Sequence, residues 1–172
     1  MTRALVWFRR DLRLKDNPAL AAAAESGAEI LPVYIHGLEQ SPQLSEGGAS
    51  KWWLHHALED LDSELGNSGG KLHLAQGESV EEVLLGLIGE YEIDAVYWNR
   101  RYQPEAIELD SSIKKQLQAD GIKVHSFNAS ALNEPHAIEN KSGKPYQVFT
   151  PYWKLCRDIA VDKPRDADLS NT

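Results

Sequence analysis

The chain has 172 residues, 42% of them apolar, enough for one globular domain with its own core plus a short remainder, but too few for two full domains. Its 18 Lys and Arg against 26 Asp and Glu leave a formal net charge of -8, which excludes the broad positive field of a free-standing nucleic-acid binder. The lone cysteine, Cys156, excludes an internal disulfide or a paired-cysteine metal site and points to a reducing compartment, the cytoplasm by default; no apolar run approaches the ~20 residues of a membrane span and no signal-peptide pattern opens the chain.

In chain order, Ala4 to Phe8 is a short continuous apolar run, predicted as a strand buried on both faces of a parallel sheet. Asn17-Pro18 then supplies a helix cap and a proline at the first helical position, ahead of the helix formers Ala19 to Ala24. Arg9, Arg10, Asp11 and Arg13 therefore fall in the loop at the carboxyl end of the first strand, the edge where open α/β sheets bind ligands. Glu29 to His36 reads as a second strand, followed by a polar, Gly/Ser-rich loop from Gly37 to about Ala49. Leu54, Ala57, Leu58, Leu61 and Leu65 recur at helical spacing up to a stop at Gly66, and Lys71 to Gln76 is the third strand.

Ser79-Val-Glu-Glu82 is a capping box opening a helix with Val80, Val83, Leu84, Leu87 and Ile88 inward, before a fourth strand at Asp94 to Trp98. Pro104 starts a helix with Ile107, Ile113 and Leu117 inward and Gly121 at its end; Ile122 to Ser126 is the fifth strand. Alternating strands and helices predict a doubly wound, Rossmann-like α/β domain over residues 1–130, its five-stranded parallel sheet ordered 3-2-1-4-5. From residue 131 to 172, with prolines at 135, 145, 151 and 164, no sustained period survives, and a linker or docking arm is expected. Its aromatic residues Tyr146, Phe149, Tyr152 and Trp153 are unusual for a free tail and are expected to pack on something.

Several short motifs fail on context. Gly66-Asn-Ser-Gly-Gly70 fits GxSxG by letter, but a helix precedes it and a strand follows, the reverse of a nucleophile elbow, so it reads as a helix-to-strand turn. There is no GxGxxG and no GxxxxGK[ST]. His55 and His56 point about 100° apart on their helix and cannot form an i, i+4 zinc pair, and Glu59-Asp60 and Glu81-Glu82 read as solvated faces. No nucleophile-base pair is found. Two loops remain. The arginines after the first strand read either as ion pairs that hold the loop or as a grip on an anion or planar ring. Trp98-Asn-Arg-Arg-Tyr-Gln-Pro-Glu105 alternates aromatic and guanidinium groups after the fourth strand, read either as core closure with solvated arginines or as a surface for a flat ligand. In the order 3-2-1-4-5 both loops meet beside the topological switch point.

Ala4-Leu-Val-Trp-Phe-Arg-Arg-Asp-Leu-Arg-Leu-Lys-Asp-Asn-Pro, Gly48-Ala-Ser-Lys-Trp-Trp-Leu-His-His-Ala-Leu58, Trp98-Asn-Arg-Arg-Tyr-Gln-Pro104 and Gly143-Lys-Pro-Tyr-Gln-Val-Phe-Thr-Pro-Tyr-Trp-Lys154 together resemble the N-terminal part of the photolyase/cryptochrome family, from Thr2 to about Arg157, with Lys51 where many members have arginine. The resemblance implies a light-harvesting α/β domain of a deoxyribodipyrimidine photolyase, a carbon-carbon lyase that repairs cyclobutane pyrimidine dimers in DNA. Reduced flavin adenine dinucleotide (FAD) and UV-damaged DNA would bind a helical domain missing from these residues, so the chain reads as truncated in mid-linker and inactive alone. The antenna pocket it implies comprises Phe8, Arg9, Tyr34, His36, Lys51, Trp98, Asn99, Arg100, Arg101 and Glu105, around a folate, a deazaflavin or a second flavin. The rival readings are a cryptochrome photoreceptor domain and an independent small-ligand module.

Overall fold

In the computed structural model, which describes residues 2–37 and 47–170, five parallel strands form one sheet: β1 (Arg3–Phe8), β2 (Glu29–Ile35), β3 (His73–Ala75), β4 (Ala95–Asn99) and β5 (Lys123–Phe127). Their order is β3-β2-β1-β4-β5, the Rossmann-like order expected. β1 is central, with Phe8 opposite Tyr34 of β2 and Trp7 opposite Trp98 of β4. Most of the predicted Gly37 to Ala49 loop lies outside the described residues.

Four helices cover the sheet: α1 (Pro18–Glu25), α2 (Gly48–Gly66), α3 (Val80–Tyr91) and α4 (Pro104–Ala119). The first two crossovers run one way along the sheet and the next two the other way, so right-handedness puts α1 and α2 on one face and α3 and α4 on the opposite one. Ala4, Val6 and Phe8 accordingly share a core with Leu20, Leu61 and Leu65. Leu5, Trp7, Val96 and Trp98 share another with Leu84, Leu87, Ile113 and Leu117. Covering on both sides is why the β1 sequence is apolar throughout instead of alternating.

The caps form where the sequence places them. Asn17 Oδ1 accepts from the Leu20 amide at 3.2 Å and Ser79 Oγ from the Glu82 amide at 3.1 Å. Gly66 to Gly70 is the expected turn, with the Gly70 amide on the Leu65 carbonyl at 3.1 Å and Gly69 at φ +87. One helix face departs from expectation: Ile107 is 49% exposed, whereas Ala106 is buried. Ile107 lies six residues before Ile113, about 120° around the helix, while Ala106 lies seven before and nearly aligned. The inward stripe of α4 is therefore Ala106, Ile113 and Leu117, with Leu109 and Asp110 beside it at lower exposure than Ile107.

The chain forms two compact units, one containing the sheet and its helices up to Ala129 together with the stretch from Arg165, the other Ser130–Pro164. In the first, Arg165 pairs with Glu25 at 2.7 Å and Leu169 is buried in the α1/α2 core. In the second, the Asn140 carboxamide closes a turn by accepting from the Ser142 amide at 2.8 Å, and a helix, α5 (Phe149–Arg157), follows. A helix was not expected here because Pro151 reads as a breaker. Pro151 stands in the first turn of α5, where a missing N–H costs no intrahelical bond. The aromatic residues pair among themselves: Phe149 stacks on Trp153 at 6.3 Å and Tyr146 meets Tyr152 edge-on at 6.4 Å. A hydrogen bond to Cys156, then repulsion from that sulphur's charge, holds the Tyr152 phenol above its ordinary pKa.

Candidate functional site

At the carboxyl end of β1, side chains continue to alternate, so Arg9 follows Trp7 onto the α3/α4 face and Phe8 goes to the α1/α2 face. Arg9 is only 3% exposed. A guanidinium so deeply buried needs a counter-charge, and α4 supplies it. Asp110 Oδ1 and Oδ2 accept from Arg9 Nη1 and Nη2 at 2.7 and 3.1 Å, a bidentate pair. Arg9 Nη2 also donates to the carbonyl of Asn99, and the guanidinium carbon sits 4.6 Å from the centre of the Trp7 ring. Trp98 Nε1 donates to Asp110 Oδ2 at 3.0 Å, and Trp7 and Trp98 meet edge-to-face at 5.9 Å.

The other face of the same seam is closed by amides. Asn99, 4% exposed, donates from Nδ2 to Asn17 Oδ1 at 2.7 Å and to the Asp11 carboxylate, while its Oδ1 accepts from the Ala19 amide at 3.1 Å. Ala19 N–H is one of the first-turn donors of α1 that lack an intrahelical partner. Asp11 in turn accepts from the Arg9 amide at 2.9 Å. The ends of β1 and β4, the loop between β1 and α1, the start of α1 and the second turn of α4 are thus tied together by one polar network. It occupies the switch-point crevice, where open α/β sheets ordinarily receive a ligand.

Residues 4–168 match the family model for DNA photolyase. The chain belongs to the DNA photolyase family. It is 48% identical over 150 residues to the deoxyribodipyrimidine photo-lyase of Agrobacterium fabrum, covering 87% of this chain and 30% of that protein. A crystal structure of a bacterial class III photolyase from Agrobacterium tumefaciens matches with a TM-score of 0.89 and 44% identity, over 99% of this chain and 35% of that one. Cryptochrome-2 of Arabidopsis thaliana is 38% identical over 160 residues, 93% of this chain and 26% of that protein. The chain therefore spans about a third or less of the photolyase and cryptochrome relatives that it matches.

Of the residues predicted for a photolyase-family antenna pocket, Phe8, Arg9, Tyr34, Trp98 and Asn99 come together at the seam, with Tyr34 beside Phe8 in the α1/α2 core. All five are buried. The others follow the carboxyl ends of two different strands. His36, just beyond β2, and Lys51, in the first turn of α2, are exposed. Arg100 and Arg101 lie half-buried between β4 and α4, Arg100 donating to Ser126 Oγ at 3.2 Å, and Glu105 is exposed in the first turn of α4. Arg13 fastens its loop by donating to the carbonyls of Asp16 and Ala129, each at 3.0 Å, while Arg10 is exposed. Sequence reasoning missed Asp110 as the partner of Arg9. The available signal was its place three residues before Ile113, close to a buried stripe, where a carboxylate calls for a cation.

Among the described residues, no helix is long and apolar enough to cross a membrane.

Proposed function

We propose that the chain is the light-harvesting α/β domain of a cytoplasmic deoxyribodipyrimidine photolyase, whose complete form uses light to split cyclobutane pyrimidine dimers in DNA. The carrying observation is 48% identity to a deoxyribodipyrimidine photo-lyase, above the 38% to cryptochrome-2. On this reading the catalytic FAD and the damaged DNA bind a helical domain of the same parent protein, with the lesion turned out of the duplex into that domain's pocket.

The fit of an antenna pigment follows from burial. Phe8, Arg9, Trp98 and Asn99 are closed over by the chain, and Arg9, Trp98 and Asn99 are hydrogen-bonded within it, so they do not fit a direct contact with a folate, a deazaflavin or a flavin. They act as positioning residues that keep the strand ends rigid. His36, Lys51 and Glu105 fit direct contacts, because their polar groups reach solvent at the ligand edge. A bound pigment would supply absorption in the near-ultraviolet or blue. The Lys51 ammonium would hold an anionic tail as a point charge, and the Glu105 carboxylate would accept from ring N–H groups.

Light-dependent dimer repair by the complete parent protein, and none by the 172-residue chain, is the expected result. Repair by the chain itself, or a complete protein without repair, overturns the photolyase reading. For the antenna role, the chain is titrated with a folate, a deazaflavin and flavin mononucleotide while absorbance is followed. Saturable binding weakened by Lys51→Ala or Glu105→Gln is expected, and failure of all three pigments to bind removes that role.

A further inference from the structure

The outer face of α2 carries a cluster to which neither the seam nor the antenna reading gives a role. Leu61 and Leu65 face the core, which turns Trp52, His55, His56 and Glu59 toward solvent on the opposite side of the helix. Glu59 stands between the two histidines. Its Oε1 lies 3.3 Å from His55 Nε2, four residues back, and its Oε2 lies 2.9 Å from His56 Nδ1, three residues back. The imidazoles are 5.1 Å apart, and the Trp52 ring meets His56 edge-on at 4.4 Å. One ligand atom from each of His55, His56 and Glu59 can be chosen so that all three lie within 4.8 Å of one another.

We propose that His55, His56 and Glu59 form a surface site for a divalent transition-metal ion of the zinc, nickel or copper type. Two imidazole nitrogens and a carboxylate oxygen are a donor set these ions favour, while magnesium and calcium prefer oxygen alone. Zinc bonds of about 2.0–2.2 Å place tetrahedral ligands roughly 3.4 Å apart. The two contacts of Glu59 already lie at or inside that spacing, and rotation of the exposed rings brings the histidines closer together. Adjacent histidines cannot form an i, i+4 pair by themselves. Glu59 overcomes that by standing at i+4 from one and i+3 from the other. The fourth position faces solvent and is filled by water. Trp52 restrains the His56 ring and places a fluorophore beside the ion.

The test is calorimetric titration of the untagged chain with Zn²⁺ and Ni²⁺, with Mg²⁺ and Ca²⁺ as controls. One-to-one saturable binding of the first pair only is expected, weakened at least about tenfold by Glu59→Gln and further by the double change His55→Ala/His56→Ala, with unchanged circular dichroism. Cu²⁺ should quench tryptophan emission, and Trp52→Phe should reduce that quenching while Zn²⁺ binding persists. Absence of saturable binding, equal binding by the double variant, or indifference to Glu59→Gln overturns the site.

Discussion

The β1/β4 seam and the outer face of α2 both set tryptophan beside a basic side chain and a carboxylate, in opposite surroundings. At the seam Trp7, Trp98 and Arg9 are all but sealed, and each polar group of Asp110 and Asn99 that the network uses is spent on the protein itself. On α2, Trp52 and Trp53 are 64% and 71% exposed, and Glu59 beside them pairs with His55 and His56 on the same exposed face. Tryptophan and a basic side chain close together therefore say little until their face is known. Residues on the buried face of an element become architecture, and the same residues on the free face are available for ligands.

Changes at the seam should be costly and changes on α2 nearly free. Asp110→Ala leaves the Arg9 charge buried without its partner, so a loss of about 3–5 kcal/mol in urea unfolding is expected. A loss under ~1 kcal/mol would mean that water reaches Arg9 and that the seam is as open as α2. Asn99→Leu removes the side chain that joins β4 to Asn17 and Ala19, and should cost about 2–3 kcal/mol by the same measurement. Ser79→Ala, which deletes a cap on a partly solvated helix end, belongs between the two regions at about 1 kcal/mol. Trp53→Ala should change stability by less than about 0.5 kcal/mol, despite removing one of the largest side chains. A cost near that of Asp110→Ala would show that the outer face of α2 is covered in solution.

Most of the sheet was legible because its signals are local. The continuous apolar β1, the Asn17 and Ser79 caps and the Gly66 to Gly70 turn each act within a few residues, and the parallel, doubly wound sheet follows from alternation and handedness. What stayed hidden depends on angle or distance. The orientation of α4 turns on a single residue of phase, which separates Ile107 from Ala106 and brings Asp110 toward Arg9. The bracing of both histidines by Glu59 requires counting forward from each one separately. Helix α5 was obscured because proline reads the same in a first turn as in an interior until the helix start is known. The return of Arg165 and Leu169 to the first unit crosses about 140 residues, and no local pattern announces such a contact.

The central position of β1 has a consequence for synthesis. The strand leaves the ribosome ahead of β4, yet one side of it pairs with β4 and Arg9 meets Asp110, 101 residues later. At translation speeds of about 5–20 residues per second, β1 waits roughly 5–20 seconds for that side to be covered, with Leu5 and Trp7, which face α3 and α4, still unshielded. A nascent chain halted before α4 should therefore bind chaperones and resist release. One that includes Asp110 with the tunnel cleared is the shortest from which the finished seam can emerge.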